Sequence, residues 1–500
     1  MKKLFYIALM ALIFGVCSCA DNLDLTPDYE LNEKNAITDK VKARAAVNGI
    51  YPFITQGSNF SGGLYGALAS KAGFVDWSNG DFNMTTTQSN NSPSVQYKWL
   101  GYYETINAAN FAISGISKLS EVKLDEEEKI ALIAEARCLR AMAHAYVFWV
   151  YGHWWASDDS DAYGILYRDE LATVTNLQKP RLNVGESYKK IYEDLDYAIA
   201  NLGNFSTNRH VSKEFAKVLK AKIMLYRAGF DDKTTGLDEA LTLVNEVLNS
   251  SIPGFSMQGD LAQVYKDSWD SEENLFSGYL EGNGDTNYRD SDSWYRQRIL
   301  HNYSTRLPLD PGILPTAGLR RGADWFQADP RWDIVTGVSR DSYSWDIIER
   351  YAFTKVTRFG EYAGLRQTPP DNKYNTYFFR YPELYILKAE LLARTGATVA
   401  DAIAPINEMR SKRTNPVFPT PLNPTTKQEL MDLIFKEYFL ETFLENGSEF
   451  FASVRFKDGA GQLWAENLKE MTIEFNRLCY PIPSEEMETN KLMIQNPDLE

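Results

Sequence analysis

Residues Lys129 to Tyr151, KIALIAEARCLRAMAHAYVFWVY, decide the fold. The composition is helical, and apolar side chains fall on nearly every face of the resulting cylinder. A helix that is apolar all round is central to its domain. Ala131, Ala134, Ala136, Ala141, Ala143 and Ala145 are small enough to let neighbouring helices come close. The uncharged run Ala141 to Ser157 overlaps this stretch and contains His144, Gly152 and His153. It sits at the bottom of the membrane-spanning range, so a buried helix is the better reading.

Two amphipathic helices flank it. Trp99 to Leu119 places Tyr103, Ile106, Ala109, Ile113 and Ile116 at three-to-four spacing, and Glu186 to Leu202 does the same through Tyr188, Ile191, Leu195 and Ile199. Further along, an internal repeat emerges. Leu225 to Gly229 reads LYRAG and Leu392 to Gly396 reads LARTG, each after an Ala-rich apolar helix. Second helices follow, with Glu239-Ala240-Leu241 and Val244-Asn245-Glu246 matching Asp401-Ala402-Ile403 and Ile406-Asn407-Glu408. The offsets are 167 and 162 residues, so the earlier copy has the longer turn. Helix, Gly-marked turn, helix is the pattern of tetratricopeptide-like hairpins, although any two amphipathic hairpins share part of it.

Between the helical blocks, Asn283 to Thr376 is rich in Gly, Pro, Asp and aromatics, and Gly57 to Ser94 shares that composition. Both read as long loops with a few short elements, the kind of segment that carries binding function.

The whole chain has 500 residues, is 44% hydrophobic and 24% charged, and carries 13% aromatics, which excludes disorder for most of it. Its formal charge of −15 repels phosphate backbones, so no nucleic acid is expected as partner. The first residues set the compartment. Lys2 and Lys3 precede thirteen uncharged positions, Leu4 to Val16, and then Val16-Cys17-Ser18-Cys19. That length suits a signal peptide over residues 1–18 and is too short to span a bilayer. Val16 and Ser18 make Cys19 the expected acylated cysteine, whereas Cys17 would have Val16 at its −1 position; plain secretory cleavage nearby is the other reading. Cleavage leaves a charge of about −17 and only Cys138 and Cys479 besides the anchor, which make neither a disulfide framework nor a metal motif.

Catalytic motifs are missing. There is no G-x-S-x-G, P-loop, HExxH or CxxC, and Gly282-Asn283-Gly284 lacks the rest of a dinucleotide fingerprint. The four His are widely spaced, and His144 reads as a packed side chain. Asp159, Asp161, Gly164 and Glu170 fall at positions 1, 3, 6 and 12 of a calcium loop, but Tyr163 occupies position 5 and no entering helix precedes them. No cofactor, no metal and no catalytic residue is expected, although sequence does not show whether two distant carboxylates converge as in a glycosidase.

Several stretches together resemble the SusD/RagB family. They are the lipoprotein start followed by Leu25-Thr26-Pro27 and Gly49-Ile50-Tyr51, then WLGYYETINAAN from Trp99 to Asn110, and AEARCLRAMAHAYVFWVYG from Ala134 to Gly152. Asp329-Pro330-Arg331, FRYPELYILKAELLARTG from Phe379 to Gly396, Asn407 to Arg413, and the closing Pro481-Ile482-Pro483 and Gln495-Asn496-Pro497 complete the series. Near the C-terminus Glu437, Glu441, Glu445, Gly447, Phe451 and Arg455 match the family, while Tyr438, Glu449, Ala452 and Asp498 depart from its usual Arg, Arg, Asp and Gly.

The resemblance implies a mainly α fold with four tetratricopeptide-like hairpins and an irregular, loop-rich binding half. The expected division is a helical region over residues 19–230 and a second over 231–500 that includes the insertion 283–376. It also implies a lipid-anchored outer-membrane protein, exposed at the cell surface, that captures glycans for a SusC-like TonB-dependent transporter and is no enzyme. Flat aromatic faces suit the C–H faces of sugars. The candidate ligand contacts are the loop aromatics Trp77, Tyr288, Trp294, Tyr295, Tyr343 and Trp345, whereas Trp99, Trp325 and Trp332 read as core. A peptide binder of the same architecture and a surface hydrolase are the alternatives.

Overall fold

The computed structural model describes residues 36–55, 58–60, 64–65, 68, 71, 89–230, 235–279, 306–307, 324–343, 346–353, 375–469 and 472–499. Two short helices, α1 (Lys40–Asn48) and α2 (Tyr51–Thr55), lead to the long pair α3 (Pro93–Ser117) and α4 (Glu126–Tyr151). Helix α4 is the stretch quoted above. Asp125 caps it by accepting from the Glu128 N–H, and Glu126, Glu127 and Glu128 place negative charge at the positive end of the helix dipole. From Leu132 onward almost every side chain is buried. Among the described residues no helix is long and apolar enough to cross a membrane.

The superhelix grows from α4. Next come α5 (Val184–Asn201), α6 (Lys213–Ala228) and α7 (Leu237–Leu248), and, after a sheet and a long insertion, α11 (Tyr381–Arg394), α12 (Val399–Lys412), α13 (Lys427–Thr442) and α14 (Ser448–Ser453). Pairs α4/α5, α6/α7, α11/α12 and α13/α14 pack as hairpins, and each first helix also meets the first helix of the next pair. The LYRAG and LARTG copies are the ends of α6 and α11, as their repeat predicts.

Neighbouring helices are cross-tied through buried charge. Arg140 of α4 donates from Nε to Asp194 of α5 at 2.8 Å and from Nη1 to Asn110 of α3 at 2.7 Å. Arg137 reaches the same carboxylate at 2.7 Å. His144, fully buried in α4, stacks on Tyr167 at 4.4 Å and accepts the Arg168 N–H. Burial, aided by the nearby Arg140 charge, holds its pKa down at about 3, so it is a neutral packing residue.

The sheets are small. Strand β1 (Asn274–Tyr279), which follows α8 (Leu261–Asp267), pairs antiparallel with β5 (Asn375–Arg380), and Tyr279 faces Asn375. Between them lie β2 (Arg306–Leu307), α9 (Asp324–Gln327), α10 (Trp332–Val335), β3 (Thr336–Tyr343) and β4 (Asp346–Phe353), in strand order β2-β4-β3. Two short helices, α15 (Trp464–Lys469) and α16 (Ser484–Thr489), close the chain. Trp99 is buried, and Trp325 and Trp332 pack half-buried against the core.

Candidate functional site

The insertion between β1 and β5 holds most of the loop aromatics picked from sequence, and its base is rigid. Helix α13 presents Glu437 and Glu441 one turn apart on one face, and Glu445 follows at the same spacing. Buried on the packed face of the helix, such a ladder needs cations, and four arginines supply them. Arg331, 1% exposed, donates from Nη1 to Glu437 at 2.9 Å and to Glu441 at 3.1 Å, and binds Asp329 through Nε at 2.8 Å. Arg380 at the end of β5 grips Glu445 with Nε and Nη2, both at 2.8 Å, and reaches Glu273 at 2.6 Å. Arg413 joins Glu273 to Glu441, the latter at 2.6 Å, and Arg410 meets Glu437 at 2.7 Å. Burial alone would weaken the guanidinium charge of Arg331 and Arg380. The surrounding carboxylates outweigh it and hold both well above the ordinary arginine pKa.

This charged seam joins the residue before β1, the end of β5, the middle of the insertion and the end of α12 to α13. Function-bearing loops need such a scaffold. Asp329 and Arg331, Arg410 and Arg413 of the 407–413 stretch, and Glu437, Glu441 and Glu445 were quoted above only as parts of family motifs; their common role is this seam. The four-residue spacing of the glutamates marks the ladder in the sequence but not its arginine partners.

Cys19, Trp77, Tyr288, Trp294, Tyr295 and Trp345 lie outside the described residues. Tyr343 is the last residue of β3, paired in register with Asp346 of β4.

Two surface clefts are well defined. One, of about 570 Å³, runs along α3 between the 166–177 segment and α16, with Trp99 and Tyr103 in its floor and Tyr97, Leu100 and Leu177 at its rim. The other, of about 660 Å³, lies at the C-terminal ends of α4 and α14 and is lined by Trp155, Phe230 and Phe475 with Asp158, Lys457 and Glu466. Neither was read from sequence. The clue was Tyr97 and Leu100, which fall off the apolar stripe of α3.

The calcium-like spacing has another explanation. Asp159 pairs with Arg227, and Asp161 accepts the Tyr163 N–H at 2.8 Å and meets His153 Nδ1 at 3.0 Å. Among the described residues no group of three or more His, Cys, Asp or Glu side chains converges as a metal site. Cys138 and Cys479 are buried free thiols, and burial pushes both up, Cys479 to about 12. Three of the four family departures lie in the core, whereas Asp498, in place of the usual Gly, is exposed with a positive φ of 60°. Tyr438, Glu449 and Ala452 are fully buried, and the Tyr438 ring stands 5.1 Å from the Arg455 guanidinium.

A helical-hairpin superhelix that clasps a long insertion defines a class of protein, and comparison with known proteins identifies it. Residues 245–498 match the profile described as "SusD family", and residues 21–225 match one described as "Starch-binding associating with outer membrane". The chain belongs to the SusD family. A SusD-like protein of Bacteroides ovatus is 24% identical over 432 residues, covering 80% of this chain and 73% of the relative. The crystal structure of a SusD superfamily protein from Parabacteroides distasonis superposes with a TM-score of 0.69 at 18% identity, covering 94% of this chain and 100% of that one. A laminarin binding SusD-like protein does so with a TM-score of 0.66 at 18% identity, covering 92% and 100%.

Proposed function

We propose that this chain is a lipoprotein of the cell surface, acylated at Cys19, that captures oligo- or polysaccharide and passes it to a SusC-like TonB-dependent outer-membrane transporter. Membership of the SusD family across both halves carries this reading, supported by the laminarin-binding relative of the same fold. In it, Trp77, Tyr288, Trp294, Tyr295, Trp345 and Tyr343 at the end of β3 offer stacking faces, and the seam ties the described middle of the insertion to α13. Binding without hydrolysis suits the seam's chemistry, because its buried carboxylates are tied to guanidinium groups rather than poised for proton transfer. Transport needs a closed barrel or membrane helices, so a separate transporter completes the route.

Retention of the protein on a panel of immobilised polysaccharides tests the reading. Trp77→Ala and Trp294→Ala should each weaken retention roughly ten- to hundredfold, the equivalent of about 1.5–3 kcal/mol of lost aromatic burial, with the helical far-UV signal intact. A protein retained by no polysaccharide refutes glycan capture. Retention unchanged in both variants moves the site away from these residues.

A further inference from the structure

The α3 cleft is built like a ligand site, and among the described residues none of the insertion lines it. Its volume of about 570 Å³ falls in the range of small-ligand pockets, and its walls are fixed. Tyr103 donates its hydroxyl to the Leu166 carbonyl at 2.7 Å, and Asn110 donates to the carbonyls of Arg168 and Glu170 at 3.1 and 3.0 Å. Asn107 accepts the Ala172 N–H at 3.0 Å. On the opposite wall, Gln178 donates to the Thr489 carbonyl at 2.5 Å and Asn490 to the Lys179 carbonyl at 2.7 Å. A site ordered in advance loses little entropy when it fills.

Its rim is exposed and apolar where a globular surface is ordinarily polar. Tyr97 is 66% exposed, Leu100 54% and Leu177 46%, and all three border the same cleft. Between these faces stand Gln96, Asn107, Glu485 and Glu486. Among the described residues Asn107 engages the backbone through Oδ1 and Glu486 engages Asn490 through Oε1, which leaves the Asn107 amide N–H and the second Glu486 oxygen to face a guest.

Charge narrows the guest. The guanidinium lining the cleft, Arg168, donates both Nη groups to the carbonyls of Asn176 and Leu177, at 3.0 and 2.6 Å, and is spent on holding the wall. The two glutamates repel anions and accept hydroxyl donors. No strand is among the elements that line the cleft, so an extended peptide gains no backbone ladder there. Aromatic face, planar amide and carboxylate together suit a ring with an apolar C–H face and a hydroxyl edge.

We propose that this cleft is a second saccharide site, taking a short neutral oligosaccharide independently of the loop aromatics. The proposal rests on the glycan-binding reading and adds a site to it.

Methyl-labelled leucine spectra of the full mature chain test it, with maltohexaose, laminarihexaose, cellohexaose, mannohexaose and xylohexaose as probes. At least one probe should shift the Leu100 and Leu177 methyls, in the native protein and in the Trp77→Ala/Trp294→Ala variant alike. Tyr97→Ala, at a largely exposed position, should weaken that response at least tenfold while leaving the spectrum folded. If the probes shift other methyls and leave these two unmoved, the cleft proposal fails and glycan capture stands. If no methyl moves at all, the cleft proposal also fails, and glycan capture is judged by the polysaccharide panel alone. Shifts produced by a lysine-leucine peptide and by no saccharide would overturn it in favour of peptide docking.

Discussion

Replacing Arg380 by Met tests whether the charged seam holds the β1/β5 sheet to the helical repeats. Arg380 is fully enclosed and donates to Glu445 twice at 2.8 Å, to Glu273 at 2.6 Å, to the Glu441 side chain at 3.3 Å and to the Glu441 carbonyl at 2.7 Å. Its partners are unequally insured. Glu273 retains Arg413, and Glu441 retains Arg413 at 2.6 Å and Arg331 at 3.1 Å. Glu445 loses its bidentate cation and keeps the Tyr265 hydroxyl at 3.2 Å. Removing one member of a buried pair costs about 3–5 kcal/mol, because the other charge stays in a site that water does not reach. Arg380→Met should therefore lower the folded-to-unfolded ratio by roughly two to three and a half orders of magnitude, read from urea unfolding. Most of the cost belongs to the stranded carboxylate rather than to the lost bonds, so Arg380→Met/Glu445→Leu should recover at least half of it. Arg380→Lys should fall between native and Met, since an ammonium keeps the charge without the fork. A single variant within about 1 kcal/mol of native, or a double variant no more stable than the single, refutes the reasoning.

Glu390 makes a pH prediction. It is buried against Arg455, at 2.6 Å, and Arg394, at 2.8 Å; burial pushes its pKa up, but the two guanidiniums overcome that and hold it at about 2 against an ordinary 4.5. A depressed carboxyl stabilises the fold above pH 4.5 and loses that contribution as pH falls toward 2, here about 3 kcal/mol, so Glu390→Gln should flatten the stability profile across that window. Cys19→Ala should release the protein from the membrane fraction, and membrane association that survives undiminished refutes acylation there. Affinity purification from detergent-solubilised native membranes should bring down a TonB-dependent barrel; recovery of this chain alone, under conditions that keep other outer-membrane complexes intact, refutes the transporter partnership.

The helices were legible because their information is local. The apolar run Lys129 to Tyr151 forms α4 almost as read, the observed start at Glu126 being set by the Asp125 cap. The sequence pattern marks α3 from Trp99, whereas the helix starts at Pro93, because the exposed Tyr97 of its first turns falls off the core stripe. Tyr97 and Leu100 build the rim of the cleft that sequence did not reveal. The seam was illegible for a different reason. Arg331 and Glu437 are 106 positions apart, and no local period announces that they meet. Family motifs marked the right residues without saying what they do.

The antiparallel pairing of β1 with β5 has a consequence for how such a protein diversifies. Tyr279 and Asn375 sit opposite one another, so the insertion leaves and re-enters the body at a single doorway. Closing a longer loop across a fixed doorway costs only about 0.6 kcal/mol for each doubling of its length. Sequence between residues 280 and 374 can thus vary in length at little cost, provided Arg331 keeps its hold on α13 and Trp325 and Phe326 keep their packing against Phe439.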